Sequence, residues 1–437
     1  MQTSKLIRFL NYLTATIIVL VPFQALLTTW AGSNLGHLDL FRIWKELLLV
    51  PLIAGCLYLI YSDKKLKQWF TNSRLVLLIA TYATLQFCMG AYALQTSKVN
   101  NSAVIYGVLI NLRFFMFFLA CLVLASKSDW LIKNWQKLII WPAAIVVSFG
   151  LLQHFVLAKD FLRHFGYGPK TIPAYQAVDH KPQYARVQST LRGPNPLGAY
   201  LVLIFTIVAA WLIRKKNWSY TILCILLAIV LFFTYSRSAW LGVIVSLGLL
   251  IYWLIKNQKV KRQILIAGIV LVAIGSLTIL IWQKNSVVEN TLFHTSQTSQ
   301  SAESSNAVRT EAMLDGAKSV LHQPFGYGPG TAGPASVRND HPPRIAENYF
   351  IQIGQEVGVI GLVIFIAINL YVAKLLWDRR QNDLALIALA ALVGLTLVNC
   401  LSHAWADDTL AYVYWGVAGI ALAPAAILNK ERKSKHA

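Results

Sequence analysis

Apolar runs near 20 residues long recur along the chain, and they constrain its architecture more than any other feature. As a helix, a run of that length rises about 30 Å, the thickness of a bilayer's hydrocarbon core. Twelve spans are expected, at roughly 9–30, 45–61, 75–95, 104–126, 138–157, 195–213, 219–235, 239–255, 264–282, 349–376, 384–403 and 409–428. Only 13% of residues are charged, against 57% hydrophobic, about half the charge of an ordinary soluble domain. Soluble enzyme classes are therefore excluded. A nucleic-acid partner is excluded too, because such binders cluster their basic residues on a soluble fold. The expected fold is all-α: a polytopic membrane helix bundle of about 12 transmembrane helices with a small helical extracytoplasmic cap. Residues 1–437 then form a single integral membrane domain in contact with membrane lipids.

The basic excess, 39 Lys and Arg against 18 Asp and Glu, reads first as topology. Twenty-two of the 39 fall in seven short segments on one side, among them Lys64-Lys65-Leu66-Lys67 and Arg214-Lys215-Lys216. Fifteen lie in longer loops on the other side, and two, Arg113 and Lys374, fall within spans. The positive-inside rule places the first set, and both termini, in the cytoplasm. Two large loops, 158–194 and 283–348, then face outward. The first span has no small-residue cleavage site after it and reads as a signal anchor. All five cysteines lie inside apolar runs, so neither a disulfide framework nor a thiolate metal site is expected.

Loop 158–194 ends in Arg186-Val-Gln-Ser-Thr-Leu-Arg192-Gly-Pro-Asn195-Pro-Leu-Gly198. Its Gly and Pro residues hold a tight turn at the membrane surface. Two arginines there offer forked donors suited to a phosphate; pairing with lipid headgroups is the competing reading. The hairpin after the seventh span carries Thr-Tyr-Ser236-Arg237-Ser-Ala-Trp240. An outward Arg runs against the topology rule, so Arg237 has either a structural ion pair or an anion site shared with Arg186.

Loop 283–348 supplies Arg309 and then His322-Gln-Pro-Phe-Gly-Tyr-Gly-Pro-Gly330. A helix is expected over 307–321, with Asn306 or Ser305 as its N-cap and Pro324 beyond its end. No strand precedes Gly326, Gly328 and Gly330 and no Gly-Lys-Ser/Thr follows, so nucleotide binding is not expected. The loop closes on Glu347-Asn348, where an acid can simply favour a helix N-terminus. Glu356 is expected to form an intramembrane hydrogen bond or pair, and Arg113 a partner within the bundle. A carboxylate near several arginines also has a joint reading. The arginines hold a phosphate-bearing donor while the carboxylate takes a proton from an attacking hydroxyl.

Taken in order, these segments resemble the O-antigen ligase and O-antigen polymerase superfamily of bacterial membrane glycosyltransferases. The matching text is Arg186…Pro194-Asn195…Gly198, then Thr-Tyr-Ser236-Arg237-Ser-Ala-Trp-Leu-Gly. It continues with Arg309…His322-x-Pro324-x-Gly326-x-Gly328-x-Gly330…Glu347-Asn348…Gln352…Glu356-x-Gly358-x-x-Gly361. The resemblance implies a multi-pass protein of the cytoplasmic (inner) membrane with cytoplasmic termini and an extracytoplasmic active site. It implies inverting transfer of a glycan from a polyprenyl-pyrophosphate-linked donor to a hydroxyl of a glycan, lipid or cell-wall acceptor, without a metal or other cofactor. Catalytic roles fall to Glu347, Arg186 and Arg237, and substrate contacts to Arg192, Arg309, His322, Asn348 and Ser236. The ligases carry a base histidine just before the Asn; here Glu347 stands there, and a carboxylate is intrinsically the weaker base. Proton removal would then be concerted with attack. A polymerase, or a ligase acting on a cell-wall or teichoic-type polymer, fits at least as well as a lipid A ligase. The competing class is a multi-spanning transporter or lipid-linked glycan exporter, for which no convincing internal repeat is found.

Overall fold

The computed structural model describes residues 2–96, 99–178, 181–264, 266, 270 and 305–423. The elements are almost all helical: α1 (Gln2–Leu20), α2 (Gln24–Leu35), α3 (Leu38–Arg42), α4 (Trp44–Ser62), α5 (Lys64–Thr71), α6 (Arg74–Gln95), α7 (Asn101–Lys127) and α8 (Trp130–Phe155). They continue with α9 (Pro194–Lys215), α10 (Trp218–Phe233), α11 (Arg237–Leu254), α12 (Ser305–His322), α13 (Tyr349–Asp378), α14 (Asp383–Leu401) and α15 (Asp408–Ala421). One short antiparallel pair, β1 (Gln176–Ala177) with β2 (Ala185–Arg186), interrupts them, with Gln176 opposite Arg186.

Among the described residues, nine helical stretches are long and apolar enough to cross a membrane. Of the twelve expected spans, 264–282 lies outside the described residues except for residues 264, 266 and 270. The seventh and twelfth are shorter helices, α10 with 16 residues and α15 with 14. The first runs from Thr3 to Leu35, broken at Val21–Phe23 by a 3-10 turn where Pro22 removes a backbone donor. The helix expected over 307–321 is present as α12. Most of the spanning helices turn large apolar side chains outward, including Leu77, Phe87, Ile105 and Trp141. A soluble protein would not sustain such a surface; a multi-pass membrane protein requires it.

The chain divides into two compact bodies, one comprising 1–145, 312–389 and 399–437, the other 146–311 and 390–398. In the first, α7 is apolar on every side and runs through the core. The small residues Gly416 and Gly419 of α15 let it approach α7 so closely that an added Cβ at Gly416 would meet the Phe117 ring at 2.8 Å. Around that contact, Trp415 stacks on Phe114 at 5.5 Å and meets Phe115 edge-on at 4.9 Å. In the second body, α9 packs against both α10 and α11. An added Cβ at Gly242 of α11 would lie 3.1 Å from the Gly394 carbonyl, so Gly242 faces residues 390–398 at backbone contact.

The first body also buries charge. Arg113 of α7 pairs with Glu46 at 3.1 Å and with Asp408, while Lys45 pairs with Glu46 at 3.0 Å and Asp408 at 3.1 Å. The expectation that Arg113 is partnered inside the bundle therefore holds. Two cations and two anions alternate, so each carboxylate bridges two cations. Gln24 donates to Asp408 at 2.5 Å, and Arg113 donates to the Ala406 carbonyl at 2.8 Å. Four segments that are distant in sequence (α2, the start of α4, α7 and the start of α15) are thus fixed together.

Two stability outcomes follow from this packing. Arg113→Met leaves two carboxylates facing one cation and should cost about 3–5 kcal/mol. Arg113→Met combined with Asp408→Asn should recover part of that loss, as read by thermal unfolding in detergent. Gly358, at φ 69° inside α13, has no room for a side chain: an added Cβ would lie 2.5 Å from the Phe325 carbonyl carbon. Gly358→Ala should cost about 2 kcal/mol or more. Gly248→Ala, in α11 with open space around it, should be neutral or stabilising by roughly 0.5–1 kcal/mol.

Candidate functional site

The second body gathers three sequence-distant pieces at one turn. α10 ends at Phe233 and α11 begins at Arg237, leaving Thr234, Tyr235 and Ser236 to reverse the chain. Tyr235 takes the left-handed conformation at φ 50°, which closes the reversal. The Thr234 hydroxyl accepts from Ser236 N–H at 3.2 Å, and Ser236 is the N-cap of α11. Arg186 is docked onto this turn. Its Nε donates to the Thr234 carbonyl at 2.8 Å and its Nη2 to Asn195 Oδ1 at 2.6 Å, while Val187 N–H donates to the Phe233 carbonyl at 2.9 Å.

Gly198 explains the third piece. An added Cβ there would meet Ser236 Cβ and Ala239 Cβ at 2.9 Å each, so only a glycine lets the start of α9 reach the start of α11. Arg186, Asn195, Ser236 and Arg237 therefore form one arrangement. Ser236 is buried, Arg186 is half-buried, and Arg237 is half-buried at the first position of its helix. Arg192 lies on the same loop but is exposed. Positive charge at a helix N-terminus is electrostatically disfavoured unless an anion joins it. A forked guanidinium held by two acceptors, a second at a helix start and the N-terminal N–H groups form a suitable seat for a phosphate group.

The first body holds the acidic part. Asn348 is the N-cap of α13: Oδ1 accepts from Ile351 N–H at 3.0 Å, and Nδ2 donates to the Cys400 carbonyl at 2.8 Å. Capping is thus done by Asn348, and the simple reading of Glu347 as the cap is set aside. Glu347 is half-buried and held at φ 52°, a conformation that costs a side-chain-bearing residue about 1–2 kcal/mol. Such outliers concentrate at functional sites. Three of the five non-glycine residues with positive φ among the described residues, Ser189, Tyr235 and Glu347, fall in the three motif segments.

The glycine-rich loop has a structural role. α13 is kinked at Val357–Gly358, and the loop fills the break. Tyr327 N–H donates to the Gln355 carbonyl, Gly328 N–H to the Glu356 carbonyl, and Val359 N–H to the Pro324 carbonyl at 2.7–2.9 Å. Glu356, wholly buried, accepts Gly330 N–H at 2.8 Å and Asn111 Nδ2 at 2.7 Å. Asn111 in turn accepts from Tyr349 Oη at 3.2 Å and donates to Gln86 at 3.3 Å. The expected intramembrane hydrogen bonding of Glu356 is borne out.

Arg344 was not singled out by its sequence. It lies over the Tyr327 ring at 4.8 Å and contacts Ser319 of α12 through its guanidinium. Its carbonyl accepts from Gly333 N–H at 2.8 Å. The segment leading into Glu347 is thereby tied to both α12 and the glycine loop. Gly316 of α12 sits so close to Ala346 and Ile351 that an added Cβ would approach within 2.8 Å.

Of the remaining expected residues, His322 is exposed at the end of α12 and belongs to the first body. Arg309 is half-buried on the same helix and belongs to the second. Sequence reasoning also passed over Gln153, whose Oε1 accepts from Gln188 and Ser189 N–H at 3.2 and 2.7 Å and so fixes the backbone after Arg186. It stands in an apolar stretch of α8 with no local signal. Asn195 did have one, between two prolines of a motif. Among the described residues no group of three or more His, Cys, Asp or Glu is arranged to hold a metal.

No curated protein matches the chain. A family model described as O-antigen ligase matches residues 222–366, a stretch that includes Ser236, Arg237, Arg309, His322, Glu347, Asn348 and the kink at Gly358, and leaves Arg186 and Arg192 before it. Over residues 222–366, about a third of its length, the chain is thus similar to the O-antigen ligase family.

Proposed function

We propose that this chain transfers a glycan from a polyprenyl-pyrophosphate carrier to an acceptor hydroxyl at the outer face of the cytoplasmic membrane, with both termini inside. The observation that carries this reading is the docking of Arg186 on the turn that presents Ser236 and Arg237. Arg186 and Arg237 hold the donor's pyrophosphate, with Arg192 or Arg309 assisting, and Ser236, His322 and Asn348 contribute to substrate binding. Glu347 accepts the proton of the acceptor hydroxyl as its oxygen attacks the anomeric carbon. The bond from that carbon to the phosphate oxygen breaks, and the electron pair leaves with the lipid pyrophosphate. Attack opposite the leaving group inverts the anomeric centre. Arginines supply positive charge where negative charge grows, which is the function a metal serves in other phosphate chemistry. The reaction as written calls for neither a metal nor another cofactor.

Purified protein should be incubated with a polyprenyl-pyrophosphate oligosaccharide and candidate acceptors. Longer lipid-linked glycans identify a polymerase; glycan leaving the carrier for another molecule identifies a ligase. Substrate crossing sealed vesicles with its linkage intact would overturn both. Glu347→Gln should lower turnover by about 10²–10⁴-fold at unchanged expression. Arg237→Ala, or Arg186→Lys, which keeps charge but loses the fork, should cost about 10²–10³-fold. Asn195→Ala removes only the acceptor that aims Arg186 and should cost less, about 10–100-fold, with KM for the donor raised.

A further inference from the structure

At the far end of α13 from Glu347 the first body encloses a second site. Glu347 precedes the first residue of this 30-residue helix and Arg379 follows its last, so the two lie about 45 Å apart along the helix. A cavity of about 670 Å³ opens there, bounded by α5, the start of α6 and the end of α13. Among the described residues, three cations line it, Lys65, Arg74 and Arg379, and no acidic residue does. Among the described residues none of the three is paired with a carboxylate. Arg379 donates to the Ala421 and Ala423 carbonyls at 3.3 and 2.8 Å, which fixes its position without neutralising it, and burial works against its charge. Gln68, Asn72 and Ser73 add polar groups, and the N-terminus of the 22-residue α6 adds its positive end.

The rest of the wall is different. Leu75, Leu122, Tyr371, Leu375 and Leu422 line it. A free inorganic anion would have no use for that surface, whereas a phosphate ester joined to acyl chains would occupy both halves. α5 itself is held in place for this role: Asp63 caps it, accepting from Lys65 and Leu66 N–H at 2.8 and 3.1 Å, and pairs with Lys127. Neither of the other two lysines of that helix, Lys64 and Lys67, lines the cavity, and Lys67 lies over the Tyr61 ring at 5.5 Å.

We infer that Lys65, Arg74 and Arg379 form a binding site for the phosphate headgroup of an anionic membrane phospholipid, separate from the glycan-transfer site. Basic pockets between membrane helices recognise anionic headgroups in this way, each basic residue contributing about fivefold in affinity. Full-length protein in nanodiscs or detergent is titrated with phosphatidylglycerol, phosphatidylcholine or inorganic phosphate, with binding read by native mass spectrometry and by thermal shift. Phosphatidylglycerol should bind and stabilise, and the other two should not at equal concentration. Lys65→Gln and Arg74→Gln, both at exposed positions, should each weaken binding about fivefold and together about 25-fold. Lys67→Gln, which removes the same charge from the same helix, should leave it unchanged. Equal loss in Lys67→Gln would reduce the effect to general surface charge and overturn the site. Binding of inorganic phosphate as tightly as the lipid, or full binding by the double variant, would overturn it equally. Glycan transfer measured in parallel keeps the two readings distinguishable, since neither Lys65 nor Arg74 has a part in it.

Discussion

The buried carboxylate of Glu356 organises the acidic half of the molecule. A carboxylate in an apolar bundle is costly unless several donors meet it, and here the donors come from different parts of the chain. The Gly330 N–H brings the glycine-rich loop and Asn111 brings α7. With that loop in place, the kink at Gly358 has its broken backbone hydrogen bonds replaced by Tyr327, Gly328 and Pro324. The kinked helix then presents its first turn, where Asn348 caps and Glu347 is held left-handed. Removing that acid would leave the loop, the kink and the entrance of the helix without a common anchor.

The four-charge cluster of Lys45, Glu46, Arg113 and Asp408 plays a comparable part at the N-terminal ends of α4 and α15. Its charges cancel, and its value is positional: apolar helices slide and rotate against one another at little energetic expense, while alternating ion pairs accept one register. The arginine turn in the second body uses another device. Arg186 is restrained by the Thr234 carbonyl and the Asn195 amide oxygen.

Much of the architecture is legible in the sequence because hydrocarbon thickness converts directly into run length. α12 was legible through the proline after its end, although it begins at Ser305, so that neither Ser305 nor Asn306, the caps expected, stands outside the helix. That Arg113 and Glu356 need partners follows from the cost of burying them, but the partners themselves do not. Glu46 and Asp408 lie 67 and 295 residues from Arg113 in sequence, and no local pattern links them. The packing of the glycine triplet against Gly358 needs a kink that periodicity does not reveal. Asn348, expected at the substrate, also proves to be the cap that Glu347 was offered for. A dihedral sign at Glu347 decides that, and composition carries no trace of it.

The position of the kink has a consequence in lipid dimensions. From Val359 to Asp378 the helix runs 20 residues, about 30 Å, which by itself equals the hydrocarbon thickness of a bilayer. The turns before the break are surplus to spanning. They form a short post of about 12 Å that, in the proposed glycan transfer, would lift Glu347 clear of the hydrocarbon toward lipid phosphates and sugars. Shortening the post would draw the carboxylate down among acyl chains, so the break sets an altitude as well as a direction.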